Sequence, residues 1–421
     1  MSPAASPPLS RPPAVGAGGR HALVLSGGGA RGAYEVGVMK ALFEGAASTS
    51  ASGPLAVRIF TGTSVGAYNA AFLAQEEHPD ADSIARLQAI WLERIADTPL
   101  SCGNGVYRLR SNPLQLLNPG CLANPLRLAL NAGRDALFWG TYAALYGGQF
   151  LTSDAPLEIR LAESFNLTAL FSRVPFERLL LDTLDGPRLS SSPNALAVVV
   201  SDWINSTAKV FSKADVLRLG TDSILASAAI PGVFRPVLLE GTVYVDGGVL
   251  MNTPLRPAID LGGDVLHVIF VDPETNEIPL PIQEGVLPNT SDTLYRFYTI
   301  ILATQLNQDM RHLATINEEI AALAGGASAM GSELPAVRAK RRRRVAAAAP
   351  RGEKRYRPIT VHTYRPKTEL GGIQGFLDFD LESINRLIQQ GYDDAVHHDC
   401  GEAQCVLPPE VPPAAPRVRR A

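Results

Sequence analysis

The sequence has few cysteines and no long apolar run. Only four of its 421 residues are cysteine, Cys102, Cys121, Cys400 and Cys405, and their spacing indicates neither a zinc motif nor a disulfide framework. A reducing cytoplasm is therefore the expected location. No stretch of roughly eighteen apolar residues occurs, so no transmembrane helix is expected. Residues 1–20 lack the basic start and apolar segment of a signal peptide, and their Pro, Ala, Ser and Gly content predicts a flexible arm.

The chain contains enough apolar residues for a large core. Hydrophobic residues make up 46% of it, and its formal net charge is -3. A chain of this size and composition can bury one large α/β core and carry an insertion as well. None of its seven histidines stands in a pattern typical of a catalytic triad.

A glycine run opens the first predicted helix. The buried-strand pattern of residues 22–25 leads into Ser26–Gly32, and helical periodicity follows over residues 33–42. Such a turn presents free backbone N–H groups at the positive end of the helix dipole, which makes it an anion site. Glycine suits this turn because the chain bends sharply and a Cβ would obstruct a ligand near the backbone.

The same run, Gly27–Gly32, also matches the G-x-G-x-x-G pattern of dinucleotide binding. A cofactor site of that kind requires an acidic residue at the end of the second strand. The next strand-like run, residues 56–60, is followed by Thr-Gly-Thr-Ser, and Glu44 lies earlier, at the end of the helix. A nucleotide-binding or phosphate-binding protein is thus the alternative to an enzyme.

A serine stands where that acidic residue would be. Gly62-Thr63-Ser64-Val65-Gly66 lies between a strand-like run and a small-residue helix over residues 67–74. A strand, Gly-x-Ser-x-Gly and a helix in succession are typical of a nucleophile elbow, whose glycines permit the tight turn that presents the serine Oγ. Ser64 is therefore the candidate nucleophile, with Gly62 and Gly66 shaping the turn.

Asp246 is the candidate base for this serine. It ends the apolar run 242–245 and precedes Gly247 and Gly248, so its carboxylate would project from a strand end at the same sheet edge as Ser64. The ordinary alternative is a turn aspartate before glycines. Two further aspartates end apolar runs and compete for the role, Asp202 and Asp272.

In this order the three motifs resemble those of the patatin-like phospholipases. The resemblance implies a three-layer α/β/α sandwich with a mainly parallel central sheet and a Ser-Asp catalytic dyad. Three further segments are similar to family segments: the small-residue helix and proline turn at 226–234, the Asn-Thr-Pro-Leu after the aspartate motif, and the helix-like stretch 378–392. The resemblance covers residues 21–398, which would form one acyl hydrolase domain.

The resemblance also implies a role for each motif residue. Ser64 would be the nucleophile and Asp246 its base. The glycine turn would form the oxyanion hole, with the amides of Gly28 and Gly29 as donors, Gly27 shaping the bend, and Arg31 steadying the loop or a phosphate group. The expected loop residues are Gly27, Gly28, Gly29, Arg31 and Gly32. A dyad of this kind needs neither a metal nor a cofactor.

The predicted function is hydrolysis of carboxylic esters, with a lipid ester as substrate. Residues 84–150 form a predicted helical insertion rich in leucine and aromatic residues. This insertion could be a lid or a membrane-facing rim, since Trp and Tyr favour the membrane interface, or an ordinary cap with its own small core. A cytoplasmic enzyme with peripheral membrane contact is expected.

Two segments depart from the family pattern. Residues 321–358 are of low complexity and strongly basic, above all Arg338–Arg344. Such a block is usually solvated and disordered, although it could tether the protein to anionic lipids. Nucleic-acid binding is not expected, because no aromatic residues alternate with these charges. The Pro-rich residues 399–421 predict a flexible tail.

Overall fold

The computed structural model of the chain describes residues 19–49, 53–98, 101–164, 168, 170–272, 310, 313, 315, 317, 358–368 and 370–407. Its centre is an eight-stranded sheet, and two further strands form a small ribbon. The main sheet contains β1 His21–Leu25, β2 Ile59–Thr63, β5 Ala195–Asp202, β6 Thr207–Ser212, β7 Val237–Leu239, β8 Thr242–Asp246, β9 Val265–Ile269 and β10 Thr360–Tyr364. The ribbon consists of β3 Arg108–Leu109 and β4 Phe171–Ser172.

The main sheet is mostly parallel, as the sequence predicts. Its strand order is β10-β9-β1-β2-β5-β8-β7, and β6 also pairs with β5. The five strands from β10 to β5 in this order run parallel, whereas β6, β7 and β8 pair antiparallel. Leu25 at the end of β1 pairs with Gly62 near the end of β2. The glycine turn and the serine elbow therefore leave the sheet side by side.

Helices lie on both faces of this sheet. In chain order they are α1 Gly32–Glu44, α2 Val65–Ala74, α3 Ala81–Ile90, α4 Pro119–Leu122, α5 Pro125–Thr152, α6 Leu157–Ser164, α7 Val174–Thr183, α8 Gly186–Ser191, α9 Lys213–Leu219, α10 Asp222–Ser227, α11 Gly248–Met251, α12 Leu255–Asp260, α13 Gly372–Leu377 and α14 Leu381–Val396. Helices α1, α2, α3 and α14 contribute to one core, and α12 contributes to the other. The predicted three-layer α/β/α sandwich is confirmed.

The two cores explain why the central strands read as continuous apolar runs. In β1, Leu23 and Leu25 belong to one core, whereas Ala22 and Val24 belong to the other. Successive side chains of a strand point to opposite faces, so a strand covered on both faces must be apolar at every position. All four of these side chains are fully buried.

The predicted insertion at 84–150 differs from expectation at its start. Ile84, Leu87 and Trp91 are buried in the larger core, so this stretch is part of the main layer rather than of an aromatic rim. Beyond it, α5 is 28 residues long. Most of the exposed large apolar side chains lie between residues 109 and 159.

A disulfide, which the cysteine spacing did not indicate, joins Cys102 to Cys121. It closes a segment of 19 residues ahead of α5. The two cysteines meet because the turn before β3 and the short helix α4 fold against each other, a proximity that spacing alone does not reveal. The reducing cytoplasm expected from the sequence stays a prediction.

The predicted C-terminal tail also differs from expectation. Its described part, residues 399–407, packs against the edge strand β10, where Val406 and Val361 form an antiparallel bridge. Their backbone groups exchange N–H···O bonds of 2.8 and 3.0 Å. The predicted arm, apart from residues 19 and 20, and the basic loop, apart from residue 358, lie outside the described residues, and so does Arg338–Arg344. Among the described helices, none is both long and apolar enough to cross a bilayer.

Candidate active site

The glycine turn connects β1 to α1, and its Gly29 lines a cleft. Gly29 has a φ of 58°, and a Cβ there would come within 2.2 Å of the Phe376 carbonyl oxygen, so a side chain is excluded. The N–H of Gly27 donates to Asn252. Those of Gly28 and Gly29 have no acceptor among the described residues. Two donors are thus available at the start of a helix, where the dipole favours negative charge.

Ser64 sits in a strained turn between β2 and α2. Its φ of 55° and ψ of -123° lie in a region that residues with a Cβ rarely occupy, a strain of about 1–3 kcal/mol that the surroundings must hold. Its N–H donates to Ser227 Oγ at 2.9 Å. A Cβ on Gly62 would lie 2.2 Å from the Gly66 carbonyl oxygen. The turn therefore requires a glycine at position 62.

Asp246 ends β8, opposite Val200 of β5 in the sheet. Its Oδ1 accepts a 2.7 Å hydrogen bond from the N–H of Gly248. Its Oδ2 is buried and has no hydrogen-bond partner among the described residues. Burial raises the pKa of Asp246 to about 7, while the proximity of the Ser64 hydroxyl and the hydrogen bond from the Gly248 N–H lower it. A free, weakly acidic carboxyl oxygen therefore lies beside the serine.

The two side chains do not form a close hydrogen bond in this structure, although the Ser64 hydroxyl is near enough to influence the Asp246 carboxyl. Contacts of this kind often lengthen without substrate and tighten when it binds. Residues 227–229 bond to the backbone of both Ser64 and Asp246. The N–H of Asp246 donates to the Ala229 carbonyl at 2.9 Å, and that of Gly247 donates to the Ser227 carbonyl at 3.3 Å.

Arg31 braces the glycine turn from behind. It is 1% exposed, and its guanidinium pairs with Asp272, directly after β9. It also lies 5.8 Å from the centre of the Phe376 ring. Of the two roles expected for Arg31, steadying the loop is therefore the one that its contacts favour. Gly32 and Gly247 leave no room for a side chain. A Cβ on Gly32 would come within 2.5 Å of the Val65 side chain, and a Cβ on Gly247 would come within 2.3 Å of the Val199 carbonyl oxygen.

A mostly apolar cleft opens onto Ser64 and Gly29. Its walls come from the segment after α3, the start of α7, the stretch from α10 to β7, and α13 with the two residues that follow it. The lining includes Ile95, Val106, Phe176, Leu225, Ile230, Phe234, Phe376, Leu377 and Phe379. A space with such walls suits an acyl chain more than a nucleotide, whose phosphates need polar partners.

The sequence also matches a known family. The model of the patatin-like phospholipases matches residues 23–259, which is more than half of the chain and contains the glycine turn, the elbow and Asp246. The chain belongs to the patatin-like phospholipase family. A crystal structure of VipD from Legionella pneumophila is similar at 14% sequence identity, over 94% of this chain and 71% of that one, with a TM-score of 0.31. That likeness is too low to support any functional statement.

The competing aspartates of this patatin-like chain have other partners. Asp202 accepts hydrogen bonds from the N–H groups of Ile204 and Asn205 in the turn after β5. Asp272 is paired with Arg31. Asp246 is therefore the one of the three whose buried oxygen is left without a hydrogen bond among the described residues.

Sequence reasoning missed the residues that hold the patatin-like site in place. Ser227 accepts from the N–H of Ser64 and donates to the Val199 carbonyl at 2.6 Å. Asn252 pairs with both backbone groups of Gly27, at 3.1 Å each through its side chain. Ser227 and Asn252 both lie in segments whose sequences are similar to family segments. The residue types in these segments do not indicate which side chain points into the site.

A buried polar network lies behind the glycine turn. Glu35 of α1 is fully buried and accepts from the Asn69 amide at 2.9 Å, while Trp91 donates to the Asn69 oxygen at 3.1 Å. Burial raises the pKa of Glu35 well above its usual value. Burial thus favours the neutral form of this carboxyl, and its hydrogen bonds link α1, α2 and the end of α3.

Proposed function

We propose that the protein is a serine acyl hydrolase that cleaves carboxylic esters of phospholipids. Ser64 would act as the nucleophile, Asp246 as its base, and the glycine turn as the oxyanion hole. The observation that carries this proposal is the unpartnered, buried Oδ2 of Asp246 beside a strained serine at the bottom of an apolar cleft. Membership of the patatin-like family supports lipid acyl hydrolysis in general.

The proposed chemistry follows from this arrangement. Ser64 Oγ attacks the ester carbonyl carbon while Asp246 takes the hydroxyl proton, and a tetrahedral oxyanion forms. The N–H groups of Gly28 and Gly29 would stabilise that negative charge. Asp246 then gives the proton to the departing alcohol, which leaves an acyl-serine. Water, deprotonated by the same carboxylate, releases the fatty acid and restores the hydroxyl.

The pKa of Asp246 suits such a base. A carboxylate is ordinarily too weak a base to activate a serine at neutral pH, and catalysis is most effective when the pKa of the base lies near the working pH. Burial raises the pKa of Asp246 to about 7. The carboxyl is then a much stronger base than usual but still substantially ionised at neutral pH.

A cluster of arginines beside the cleft supports a phosphate-bearing substrate. A second cavity shares Arg173 and Phe234 with the acyl cleft and is also lined by Arg110 and Arg235. Its lining contains one acidic residue, Glu177. Three guanidinium groups against one carboxylate favour an anion, and guanidinium is well shaped to hold a phosphate. An acyl chain in the cleft would place a phospholipid headgroup at this cavity.

The long helix α5 supports contact with a lipid surface. Leu126, Leu130 and Leu137 are 70%, 54% and 73% exposed, at spacings that keep them on one face of the helix. Asn131 and Asp135 of the same helix are instead buried, and Asp135 pairs with Arg108 at 2.6 Å. A helix in water has the opposite arrangement. We infer that these leucines enter the membrane that carries the substrate.

The direct test is hydrolysis by purified variants. Wild-type protein should release fatty acid from phospholipid and cleave a short p-nitrophenyl ester, whereas Ser64→Ala and Asp246→Asn should each lose at least about 10³-fold in kcat. Ser206→Ala is the matched control, because Ser206 also has a positive φ, of 53°, but lies in an exposed turn. Full activity in folded Ser64→Ala protein would refute the proposal.

A further inference from the structure

Four metal-binding side chains meet at the edge of the sheet opposite β7. His362 belongs to β10, and His398, Cys400 and Cys405 follow α14. One ligand atom from each lies within 4.8 Å of the others. The site is separate from the proposed hydrolase centre, because β9 lies between β10 and β1 and none of the four residues lines the cleft at Ser64.

The spacing of these atoms fits a tetrahedral metal ion. Cys400 Sγ lies 3.5 Å from His362 Nδ1 and 3.4 Å from His398 Nε2, and Cys405 Sγ lies 3.4 Å from His398 Nε2. Zinc binds sulfur at about 2.3 Å and imidazole nitrogen at about 2.0–2.1 Å, which in a tetrahedron puts sulfur and nitrogen about 3.6 Å apart. Three measured edges agree with that value to within about 0.2 Å.

Backbone hydrogen bonds hold the two cysteine sulfurs in position. The N–H of Thr363 donates to Cys405 Sγ at 3.4 Å, a contact that stabilises negative charge on sulfur. Asp399 Oδ1 accepts from the N–H groups of Gly401 and Glu402 at 2.8 and 3.0 Å. The N–H of Cys405 donates to the Cys400 carbonyl at 3.0 Å. These bonds fix the turn that brings both sulfurs to the same side.

We propose that His362, His398, Cys400 and Cys405 bind a structural zinc ion. Two thiolates and two imidazoles in a tetrahedron are the ligand set that zinc prefers among the common divalent metals. Four protein ligands leave no open position for water or substrate, so the ion is structural rather than catalytic.

The ion would fasten the chain after α14 onto β10. That segment already pairs with β10 through Val361 and Val406, and β10 is an edge strand of the main sheet. An exposed edge offers unpaired backbone groups to other chains. A metal clamp at this point covers the edge and holds the last described segment of the chain in place.

Metal analysis of the purified full-length protein tests this proposal. Elemental analysis should find about one zinc per chain in wild type and none in Cys400→Ser/Cys405→Ser. Cys102→Ser/Cys121→Ser removes the same number of sulfurs elsewhere and should keep the zinc. His398→Ala should lose it, whereas His397→Ala should keep it, because the adjacent His397 is exposed and bonds to Asp393.

A second measurement requires no variant. Wild-type protein in which cobalt replaces zinc should show intense visible bands typical of tetrahedral coordination and a thiolate-to-cobalt charge-transfer band. An octahedral spectrum, a Cys400–Cys405 disulfide in the isolated protein, or equal zinc in wild type and the double serine variant would overturn the proposal. Short-ester hydrolysis should persist in the zinc-free variants, so this test stands apart from that of the hydrolase.

Discussion

At the scale of single residues, Asp246 links function to stability. The carboxyl is buried with one oxygen unpaired, and burial raises its pKa to about 7 from an ordinary value of 3.8. Between these two values the folded protein binds a proton that the unfolded chain has released. The Asp246 carboxyl therefore makes the folded protein more stable at low pH than at high pH. Its contribution to the free energy of unfolding is lost as the pH rises to the pKa that Asp246 has in the folded protein.

Activity and stability should then respond oppositely to pH. We predict that kcat/KM for a short ester rises through about pH 7 as Asp246 ionises. Asp246→Asn should abolish that activity but unfold at a higher temperature than wild type at about pH 8, because it removes a buried charge that costs up to about 4 kcal/mol. Near pH 4 the two proteins should melt alike. A variant less stable than wild type at both pH values would contradict this account.

At the scale of secondary-structure elements, α5 is the clearest departure from a water-exposed helix. Its leucines face outward and its buried positions include Asn131 and Asp135. The Cys102–Cys121 bond closes the chain just ahead of it. The segment therefore combines a surface suited to lipid with a covalent anchor that holds it in position.

The leucines of α5 should control binding to vesicles. Leu126→Ser/Leu130→Ser/Leu137→Ser is expected to weaken binding to phospholipid vesicles at least about tenfold, since each leucine loses favourable burial in the lipid. Hydrolysis of a soluble short ester should be unchanged. Leu238→Ser is the control, because Leu238 is 67% exposed on β7. Equal binding of the triple variant and wild type in a flotation assay would exclude this surface.

The disulfide should stabilise the region before α5. For a loop of this length the expected contribution is about 3 kcal/mol, so Cys102→Ser/Cys121→Ser should melt at a lower temperature. Peptide mapping without reductant should recover the Cys102–Cys121 pair from wild type. Two free thiols at these positions in protein from an oxidising compartment would show that the bond does not form.

At the scale of the whole molecule, an apolar cleft and an arginine-lined cavity lie next to each other. One of their two shared residues, Arg173, donates to the Arg235 carbonyl and pairs with Glu177 at 3.0 Å. In the proposed function, these two cavities would receive the acyl chain and the headgroup of a phospholipid. It also explains why substrate choice could not be derived from the motifs, which contain only the reacting groups.

The arginine-lined cavity should determine headgroup preference. Arg235→Gln is expected to raise KM several-fold for phospholipids while leaving kcat for a short neutral ester unchanged, because it removes one exposed cation from the cavity. Arg256→Gln is the control, as Arg256 is exposed on α12 and pairs only loosely, at 3.8 Å, with Asp260. A parallel loss on phospholipid and neutral ester would argue against a headgroup site.

The sandwich and the mainly parallel sheet could be predicted because the motifs resemble those of the patatin-like family, and local patterns predict the buried strands and the two turns. Doubly buried strands such as β1 are apolar throughout, and the turns at Gly29 and Ser64 demand particular residues at fixed spacings. The zinc ligands and the Cys102–Cys121 bond escaped prediction because tertiary packing, not spacing, brings them together. His362 and Cys400 are 38 residues apart, and nothing in the intervening sequence indicates that they meet.

The most direct test of the central claim is labelling of wild-type protein with a serine-directed fluorophosphonate, followed by mass spectrometry of the modified peptide. We expect a single adduct on Ser64 in wild type, formed much more slowly in Asp246→Asn. An adduct on a different serine, or none in a protein that hydrolyses phospholipid, would show that another residue carries out the reaction.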